Sequence, residues 1–169
     1  LPPRSYIDGS SLVIQTGDNL ELNSFRLRLE SAGYTCVSQV MEHGEFAVRG
    51  SLIDLFPMGS ELPFRIDLFD NEIDTIRSFQ PSDQRTEEKL ETVELLPARE
   101  FPLNEPGISG FRQRFRARFD VDHRQAMPYR DVSAGNAGNG IEYYLALFFD
   151  ELASLFDYLP EQTLLVEAN

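Results

Sequence analysis

The sequence has one cysteine and no long apolar run, and each shortage excludes a class of protein. The single cysteine, Cys36, excludes an internal disulfide and a metal cluster built on cysteine, which fits a reducing compartment. No segment approaches the roughly 20 apolar residues that cross a bilayer, and no basic segment followed by an apolar one marks a secretory signal. We therefore predict a cytoplasmic protein with no membrane partner.

Positive charge is also scarce, and the formal net charge is -13. An acidic surface repels the nucleic-acid backbone, whose binding depends on basic groups that release counterions. This argues against a free-standing DNA-binding module. Lys89 is the only lysine among 15 basic residues, which leaves 14 arginines. Arginine is favoured where its planar guanidinium group makes bidentate contacts with carboxylates, although genomic base composition gives the same bias toward arginine.

The chain of 169 residues is long enough for one ordinary domain or two small ones. It opens without methionine, which indicates an excised piece of a longer protein. Residues 1–10 contain a Pro-Pro pair, and their apolar residues follow neither helical nor strand spacing. They are therefore predicted to be a linker or the end of a preceding element. Residues 11–15 form a short apolar run that predicts a strand, with a turn after it at Gly17 and Asp18.

A helix is predicted after this turn, because four apolar residues recur at helical spacing: Leu22, Phe25, Leu29 and Ala32. Asn23 is its predicted N-cap and Gly33 the residue just past its end. The simplest interpretation is one helix that covers a sheet. Residues 34–40 then alternate as a strand, in which Cys36 is predicted to be a small, half-buried apolar side chain rather than a reactive thiol.

Residues 43–102 are rich in strands and contain the clearest functional signal. Alternation in residues 46–56 is interrupted at Gly50, which predicts a bulge or bend that leaves Arg49 exposed. Residues 64–69 alternate again. Their inward set is Phe64, Ile66 and Leu68, and their outward set is Arg65, Asp67 and Phe69.

Further strands are predicted on either side of a polar excursion at residues 80–89. Residues 70–72 form a turn into a strand at 73–79, and residues 91–96 form another strand. With the covering helix, these segments predict an α+β class built on a small, mostly antiparallel sheet of about five or six strands.

Phe69 is the residue whose predicted position is least ordinary, because it is aromatic and faces outward. An aromatic ring beside an acid and an arginine on a polar face is typical of a binding hot spot. The alternative is that flanking segments of this chain cover the ring. The residues alone leave both interpretations open.

A metal or acid-base site is a weaker hypothesis for Glu42, His43 and Glu45. A histidine between carboxylates has a raised affinity for protons and cations. Nothing nearby repeats the spacing, and the only other histidine is His123. We favour a polar turn and predict no metal site.

The C-terminal part predicts a helix with an aromatic stripe at three- and four-residue steps: Ile108, Phe111, Phe115 and Phe119. Arginines lie between them: Arg112, Arg114, Arg116 and Arg118. Basic residues between aromatics are one way to grip nucleic acid. We favour a helix that buries its phenylalanines and exposes its arginines, since the chain is acidic. Beyond it, residues 133–140 predict a flexible loop, 141–149 a short helical or irregular apolar segment, and 163–166 a last strand.

A family resemblance rests on the ungapped run RGSLIDLFPMGSELPFRIDLF at residues 49–69, within a longer match over 41–102. This run closely resembles the N-terminal region of the bacterial transcription-repair coupling factors (Mfd), which is itself similar to the excision-repair protein UvrB. The segments PMGSELP and LLPAREFP look like the coupling factors rather than UvrB. A fainter likeness covers residues 1–40 and 140–149.

The resemblance implies a domain organisation. Residues 11–98 correspond to a UvrB domain-2-like module that binds the excision-repair ATPase UvrA. Residues 99–169 correspond to a partial α/β segment of a degenerate RecA-like domain without ATPase motifs, and the chain has no G-x-x-x-x-G-K-[ST] motif. The family's ATP- and magnesium-dependent DNA translocase and its RNA polymerase-binding module lie elsewhere, so we expect no cofactor and a monomeric, non-catalytic adaptor.

The resemblance also assigns three residues to UvrA binding, namely Arg49, Arg65 and Phe69. We expect Asp67 to hold the guanidinium of Arg65 in register, and the bend at Gly50 to set Arg49 beside Arg65 and Phe69. Alanine at any of the three is expected to weaken UvrA binding with little change in thermal midpoint. The alternative function is a fragment of UvrB that contacts damaged DNA through its C-terminal arginines.

Overall fold

Two apolar cores organise the chain in the computed structural model, which describes residues 1–160. The first core lies within residues 12–98 and includes the fully buried Ile53, Ile66 and Ile76. The second lies within residues 101–149 and is centred on Phe111 and Val132. Strands dominate the first and helices the second, so the predicted α+β class is confirmed.

The helices and strands are, in chain order, α1 (Arg4–Ser10), β1 (Leu12–Gln15), α2 (Leu22–Ser31), β2 (Thr35–Cys36), β3 (Glu45–Arg49), β4 (Leu52–Leu55), β5 (Phe64–Phe69), β6 (Glu72–Phe79), β7 (Thr86–Leu90), β8 (Thr92–Leu95), α3 (Glu105–Arg118) and α4 (Met127–Ser133). Two 3₁₀ helices follow at Ile141–Leu147 and Phe156–Tyr158. The strand predicted at 163–166 lies outside the described residues.

The main sheet has six strands in the order β2-β3-β4-β5-β6-β7. Its neighbours are antiparallel except for β2 and β3, which are parallel. Strands β1 and β8 pair separately as an antiparallel two-stranded sheet. The prediction of a mostly antiparallel sheet is therefore confirmed, because consecutive hairpins build most of it.

Gly50 lies in a tight turn between two strands rather than in a bulge within one. Arg49 pairs with Leu52, so Gly50 and Ser51 form a two-residue hairpin loop between β3 and β4. The φ of Gly50 is 62°, a conformation that glycine adopts without a steric penalty. The turn returns the chain beside Arg49, so β4 is paired with β3 and β5 lies one strand further along the sheet.

Helix α2 covers the main sheet as predicted, with Phe25 and Leu29 buried in the first core. The prediction that Asn23 is the N-cap is wrong, because Glu21 caps the helix. Its carboxylate accepts hydrogen bonds from the backbone nitrogens of Asn23 (3.1 Å) and Ser24 (2.7 Å). Hydrogen bonds from Ser24 and Asn23 lower the pKa of Glu21. Gly33 follows the C-cap with a φ of 94°, which confirms its predicted place.

Two edge strands differ from the prediction. Strand β7 lies in the predicted polar excursion, where four exposed residues precede the half-buried Leu90 and no apolar alternation marks a strand. Strand β2 is only Thr35–Cys36, shorter than the predicted 34–40. The predicted half-burial of Cys36 is wrong, since its side chain is exposed at the sheet edge.

Residues 1–10 contain helix α1 and contact the C-terminal part of the chain. The backbone of Leu1 exchanges two hydrogen bonds of 3.0 Å with Ala153. The ring of Tyr6 lies 5.2 Å from that of Phe149 in an edge-on arrangement. The first turns of the chain therefore pack beside the second core.

Helix α3 buries the predicted aromatic stripe most deeply at Phe111 and Phe115, while Phe119 is partly exposed. Asn104 caps it, accepting a 3.0 Å hydrogen bond from the backbone nitrogen of Gly107. The apolar segment after residue 140 is the predicted short helix. None of the helices in residues 1–160 has the length and apolar character of a membrane span.

Tyr34 gives the first core a pH-dependent contribution. Its buried hydroxyl donates a 2.6 Å hydrogen bond to the backbone oxygen of Leu96, and burial raises its pKa from 10.0 to about 12. Unfolding returns this pKa to its ordinary value, so the contribution is complete below about pH 10 and is lost as pH rises through about 12. We expect urea unfolding at pH 8 and pH 11 to show a smaller alkaline loss of stability in Tyr34→Phe. An equal loss in both proteins would contradict this assignment.

Candidate partner-binding face

The face of the main sheet opposite the first core is called the outer face here. Residues of one row across it pair in register from β3 to β7: Ala47, Asp54, Arg65, Arg77 and Lys89. A second row contains Arg49, Leu52, Asp67 and Thr75. The outward set predicted for β5 is confirmed, because Ile66 and Leu68 are buried on the opposite face.

Arg49 and Arg65 meet on one carboxylate, that of Asp54. Arg65 makes a bidentate contact with this carboxylate, since Nε lies 2.7 Å from Oδ1 and Nη2 lies 2.8 Å from Oδ2. Arg49 Nη2 donates to the same Oδ2. Only 1% of the Asp54 side chain is exposed, so this group is buried beneath the two guanidinium groups. The prediction that Arg49 lies beside Arg65 is confirmed, although through an acid that the prediction did not include, whereas the part that sets Arg49 beside Phe69 stays a prediction.

Arg65 is held by further contacts and is only 18% exposed. Its guanidinium carbon lies 4.7 Å from the ring centre of the buried Phe79. Nη1 donates to the backbone oxygen of Gln84 and Nη2 to its Oε1, both at 3.3 Å. The hydrogen bonds to Asp54 raise the pKa of Arg65, so the group stays charged.

Arg49 is far more accessible, with 45% of its side chain exposed. Within residues 1–160 its guanidinium has one hydrogen-bond acceptor, Asp54. Its other N–H groups are available to a partner. The two arginines therefore differ: Arg65 is mostly committed to the sheet, whereas Arg49 presents donors to solvent.

Phe69 lies at the end of β5 opposite Glu72 and is 76% exposed. The flanking segments do not cover it, which contradicts the alternative left open by the sequence. Phe69 is four residues from Arg65, roughly 13 Å along the strand. The face thus has an apolar end at Phe69 and a charged centre at Arg49, Asp54 and Arg65.

The contact predicted for Asp67 is made by Asp54 instead. Asp67 accepts a 3.3 Å hydrogen bond from the hydroxyl of Ser51 in the hairpin turn. Asp54 pairs directly with Arg65 across the two strands, whereas Asp67 pairs with Leu52. Asp67 therefore supports the turn after Gly50 rather than the guanidinium of Arg65.

A small apolar cluster lies on the same face and supports the charged centre. It consists of Val40, Ala47, Phe56 and Phe79. Gln84 joins this cluster to Arg65, because its Nε2 donates to the backbone oxygens of Pro81 (2.9 Å) and Val40 (3.4 Å). The charged centre is consequently built on packed side chains rather than on a mobile loop.

Four residues of this face were not predicted from the sequence, namely Asp54, Gln84, Arg77 and Lys89. A signal for Asp54 was present: it is the one acid in the apolar strand β4, in outward phase two positions after Leu52. Gln84 had none, because it belongs to a turn whose contact with Arg65 comes from packing. Arg77 and Lys89 are exposed and make no ion pair in the part of the chain that the structure describes.

The residues considered for metal binding have structural contacts. His43 Nε2 lies 2.8 Å from the backbone oxygen of Ser60, and its ring lies 3.9 Å from that of Phe56. The carboxylate of Glu45 accepts hydrogen bonds from the backbone nitrogens of Met41 and Glu42. Among the described residues, no group of three or more side chains has the arrangement of a metal site.

The arginines of α3 are largely engaged within the chain. Arg112 donates to the hydroxyl of Tyr129, and Arg116 donates to the backbone oxygen of Arg112. Arg114 pairs with Asp150 and donates to the backbone oxygen of Leu147 at 3.2 Å. Such a helix matches the favoured interpretation, in which phenylalanines are buried, more closely than a nucleic-acid grip.

Comparisons with known proteins agree with this architecture. The chain is 52% identical over 168 residues to the transcription-repair-coupling factor of Haemophilus influenzae, and 50% identical over 168 residues to that of Escherichia coli. It is 34% identical over 180 residues to that of Bacillus subtilis. These alignments cover 98 or 99% of this chain but 15% of each relative, so the chain spans a small part of their length. The family model described as UvrB interaction domain matches residues 12–101. The chain therefore belongs to the UvrB interaction domain family.

Proposed function

We propose that this chain is a non-catalytic adaptor that binds UvrA through the outer face, with Arg49, Arg65 and Phe69 in contact with the partner. The observation that carries the proposal is an exposed phenylalanine on the same rigid sheet face as two arginines fixed on a buried carboxylate. The name of the family, UvrB interaction domain, supports an excision-repair partner. The names of the relatives support a role that links transcription to repair.

The chemistry of the face suits a protein partner with an acidic, partly apolar surface. Aromatic and arginine side chains are enriched among the anchors of protein interfaces, where each buries a large area in a desolvated pocket. Phe69 would fill an apolar pocket, and Arg49 would donate to carboxylates on UvrA. Gly50 and Asp67 would act indirectly, by shaping and bracing the turn beside Arg49.

The role of the parent protein follows from the same proposal. In it, this region would recruit UvrA, and with it nucleotide excision repair, to an RNA polymerase stalled at DNA damage. RNA polymerase, DNA, ATP and magnesium would be bound by other parts of a longer ATP-dependent translocase. The chain itself would work in the cytoplasm as a monomer without a cofactor.

The proposal predicts a salt-sensitive complex between the 169-residue chain and purified UvrA. Arg77 and Lys89 lie in the same row as Arg65, so they would steer an acidic partner toward the face. We expect Arg77→Ser and Lys89→Ser each to slow association about two- to fivefold at low salt, with little effect on dissociation. Arg118→Ser, at an exposed arginine of α3, is the matched control. Surface plasmon resonance at several NaCl concentrations measures both rates.

No detectable binding of the parent chain to UvrA at low salt would refute the proposal. Equal effects of Arg77→Ser and Arg118→Ser would instead show that net charge, not the outer face, sets the association rate. The same instrument tests the alternative function with duplex DNA that contains a lesion. We expect no binding there, because the arginines of α3 are engaged and the chain is acidic.

A further inference from the structure

We propose that Asp54 is the positioning residue of the outer face, which fixes Arg49 and Arg65 in the arrangement that UvrA meets. This inference rests on the proposed function. Asp54 would not contact the partner itself, since its side chain is 1% exposed. It would act through the two arginines that cover it.

The position of Asp54 is suited to this role. It lies at the middle of the outer face, directly paired with Ala47 on β3 and with Arg65 on β5. Both carboxylate oxygens are used, Oδ1 by Arg65 alone and Oδ2 by Arg65 and Arg49 together. One rigid side chain on a central strand therefore sets the direction of two long, otherwise flexible ones.

Stability alone does not account for an acid at this position. Burial of a carboxylate is unfavourable unless charged partners offset it, and apolar replacements of buried ion pairs are often neutral or stabilising. An apolar cluster that includes Ala47 and Phe79 already lies on this face. An apolar residue at 54 would extend this apolar cluster, but it would leave the side chains of Arg49 and Arg65 without the carboxylate that orients them.

The turn between β6 and β7 adds a second support. Gln84 accepts from Arg65 through its backbone oxygen and its Oε1, and it has a φ of 62°, which is uncommon for a residue other than glycine. Such a backbone conformation is kept where surrounding contacts require it. Asp54 and Gln84 together leave Arg65 little freedom to lose on binding, which is how preorganisation favours a complex.

The two arginines also have different roles in this arrangement. Arg65 donates three of its nitrogens inward, while Arg49 gives only Nη2 to Asp54 and stays 45% exposed. Two cations on one anion leave a net positive charge at the surface. Arg49, oriented by Asp54, would thus present its remaining N–H donors to an acidic group of UvrA.

The test is Asp54→Asn, which keeps the shape of the side chain but removes its charge and one acceptor oxygen. We expect the affinity of the whole chain for UvrA to fall about 30-fold, a loss typical of an interface hot spot. In a chain that already carries Arg49→Ala, in which Arg65 still pairs with Asp54, the same change is expected to weaken binding by about tenfold or less, because part of its effect acts through Arg49 and coupled residues are not additive. Calorimetric titration measures these affinities, and circular dichroism checks the fold.

A spectroscopic measurement separates positioning from a general loss of stability. The Nε–H signals of Arg49 and Arg65 in ¹H–¹⁵N spectra report how tightly each guanidinium is held. We expect the Arg65 signal to be protected from solvent exchange in the parent chain and to lose that protection in Asp54→Asn, while the backbone amides of the first core stay protected.

If Asp54→Asn does not fold, Asp54→Glu decides the question, because glutamate keeps the negative charge that the two arginines require and adds one methylene, which moves the carboxylate. We expect about three- to fivefold weaker binding. Parent-like affinity in a folded Asp54→Asn, or in Asp54→Glu where Asp54→Asn does not fold, would overturn the inference. So would an undiminished effect of Asp54→Asn in the Arg49→Ala background. If the parent chain did not bind UvrA, the proposed function would fail, and this inference with it.

Discussion

Replacing Phe69 by alanine is expected to weaken the complex with UvrA by about 2 kcal/mol or more, roughly 30-fold in dissociation constant, without lowering the thermal midpoint. The ring is 76% exposed and lies at the end of β5, so the folded chain gains little from it. In a complex it would leave water for an apolar pocket, and its loss would leave that pocket unfilled. Titration calorimetry and thermal unfolding of the same samples measure both quantities.

Tyr143→Ala is the matched control, because Tyr143 is an exposed aromatic residue beside the second core, with 87% of its surface accessible. We expect it to bind UvrA like the parent chain. Parent-like binding by Phe69→Ala, or an equal loss in Tyr143→Ala, would remove Phe69 from the interface.

Arg65 does not allow an equally simple test. From the sequence, alanine at Arg49, Arg65 or Phe69 is expected to leave stability nearly unchanged. We keep that expectation for exposed groups such as Phe69, but Arg65→Ala would take two of three hydrogen bonds from a carboxylate that is 1% exposed. Breaking a buried pair costs about 3–5 kcal/mol, so its effect on binding would mix with an effect on folding.

Phe111→Ala is expected to destabilise the second core by about 3–5 kcal/mol, as is usual when a large buried ring is removed. Phe111 is fully buried and packs against Phe115 and Phe148. UvrA affinity is nevertheless expected to stay within about twofold of the parent value, because Phe111 belongs to a separate core and sites that share no contacts behave independently. Urea unfolding followed by circular dichroism measures the stability, and calorimetry measures the affinity.

Phe119→Ala is the control for this change, since Phe119 lies on the same stripe but is 38% exposed. Its cost is expected to be about 1 kcal/mol or less. A tenfold loss of UvrA affinity in Phe111→Ala would show that the second core supports the outer face. It would also contradict the assignment of UvrA binding to residues 11–98.

Features that depend on near neighbours in the chain were predictable from the sequence. The phase of β5 follows from strict alternation, because a strand with one buried face turns every second side chain inward. The stripes on α2 and α3 follow likewise from helical spacing. The family resemblance added Arg49 to this picture, and the structure places it beside Arg65.

The local sequence pattern did not predict elements that lack a buried, apolar face. Strand β7 is almost entirely exposed and is kept in place by pairing with β6, so no alternation marks it. The cap of α2 was predicted two residues too late, because the helix begins earlier than expected and the carboxylate of Glu21 accepts hydrogen bonds from the backbone nitrogens of Asn23 and Ser24.

The sequence by itself determined that this chain is an acidic α+β protein with Arg65 and Phe69 on the outer side of one strand. Only the tertiary structure decided which acid binds the guanidinium of Arg65. Asp67 is nearer to Arg65 in sequence, yet Asp54 holds it, since strand pairing sets residues from different strands side by side. Gln84 reaches the same guanidinium from a turn 19 residues away. Contacts of this kind depend on register and packing, which no local periodicity records.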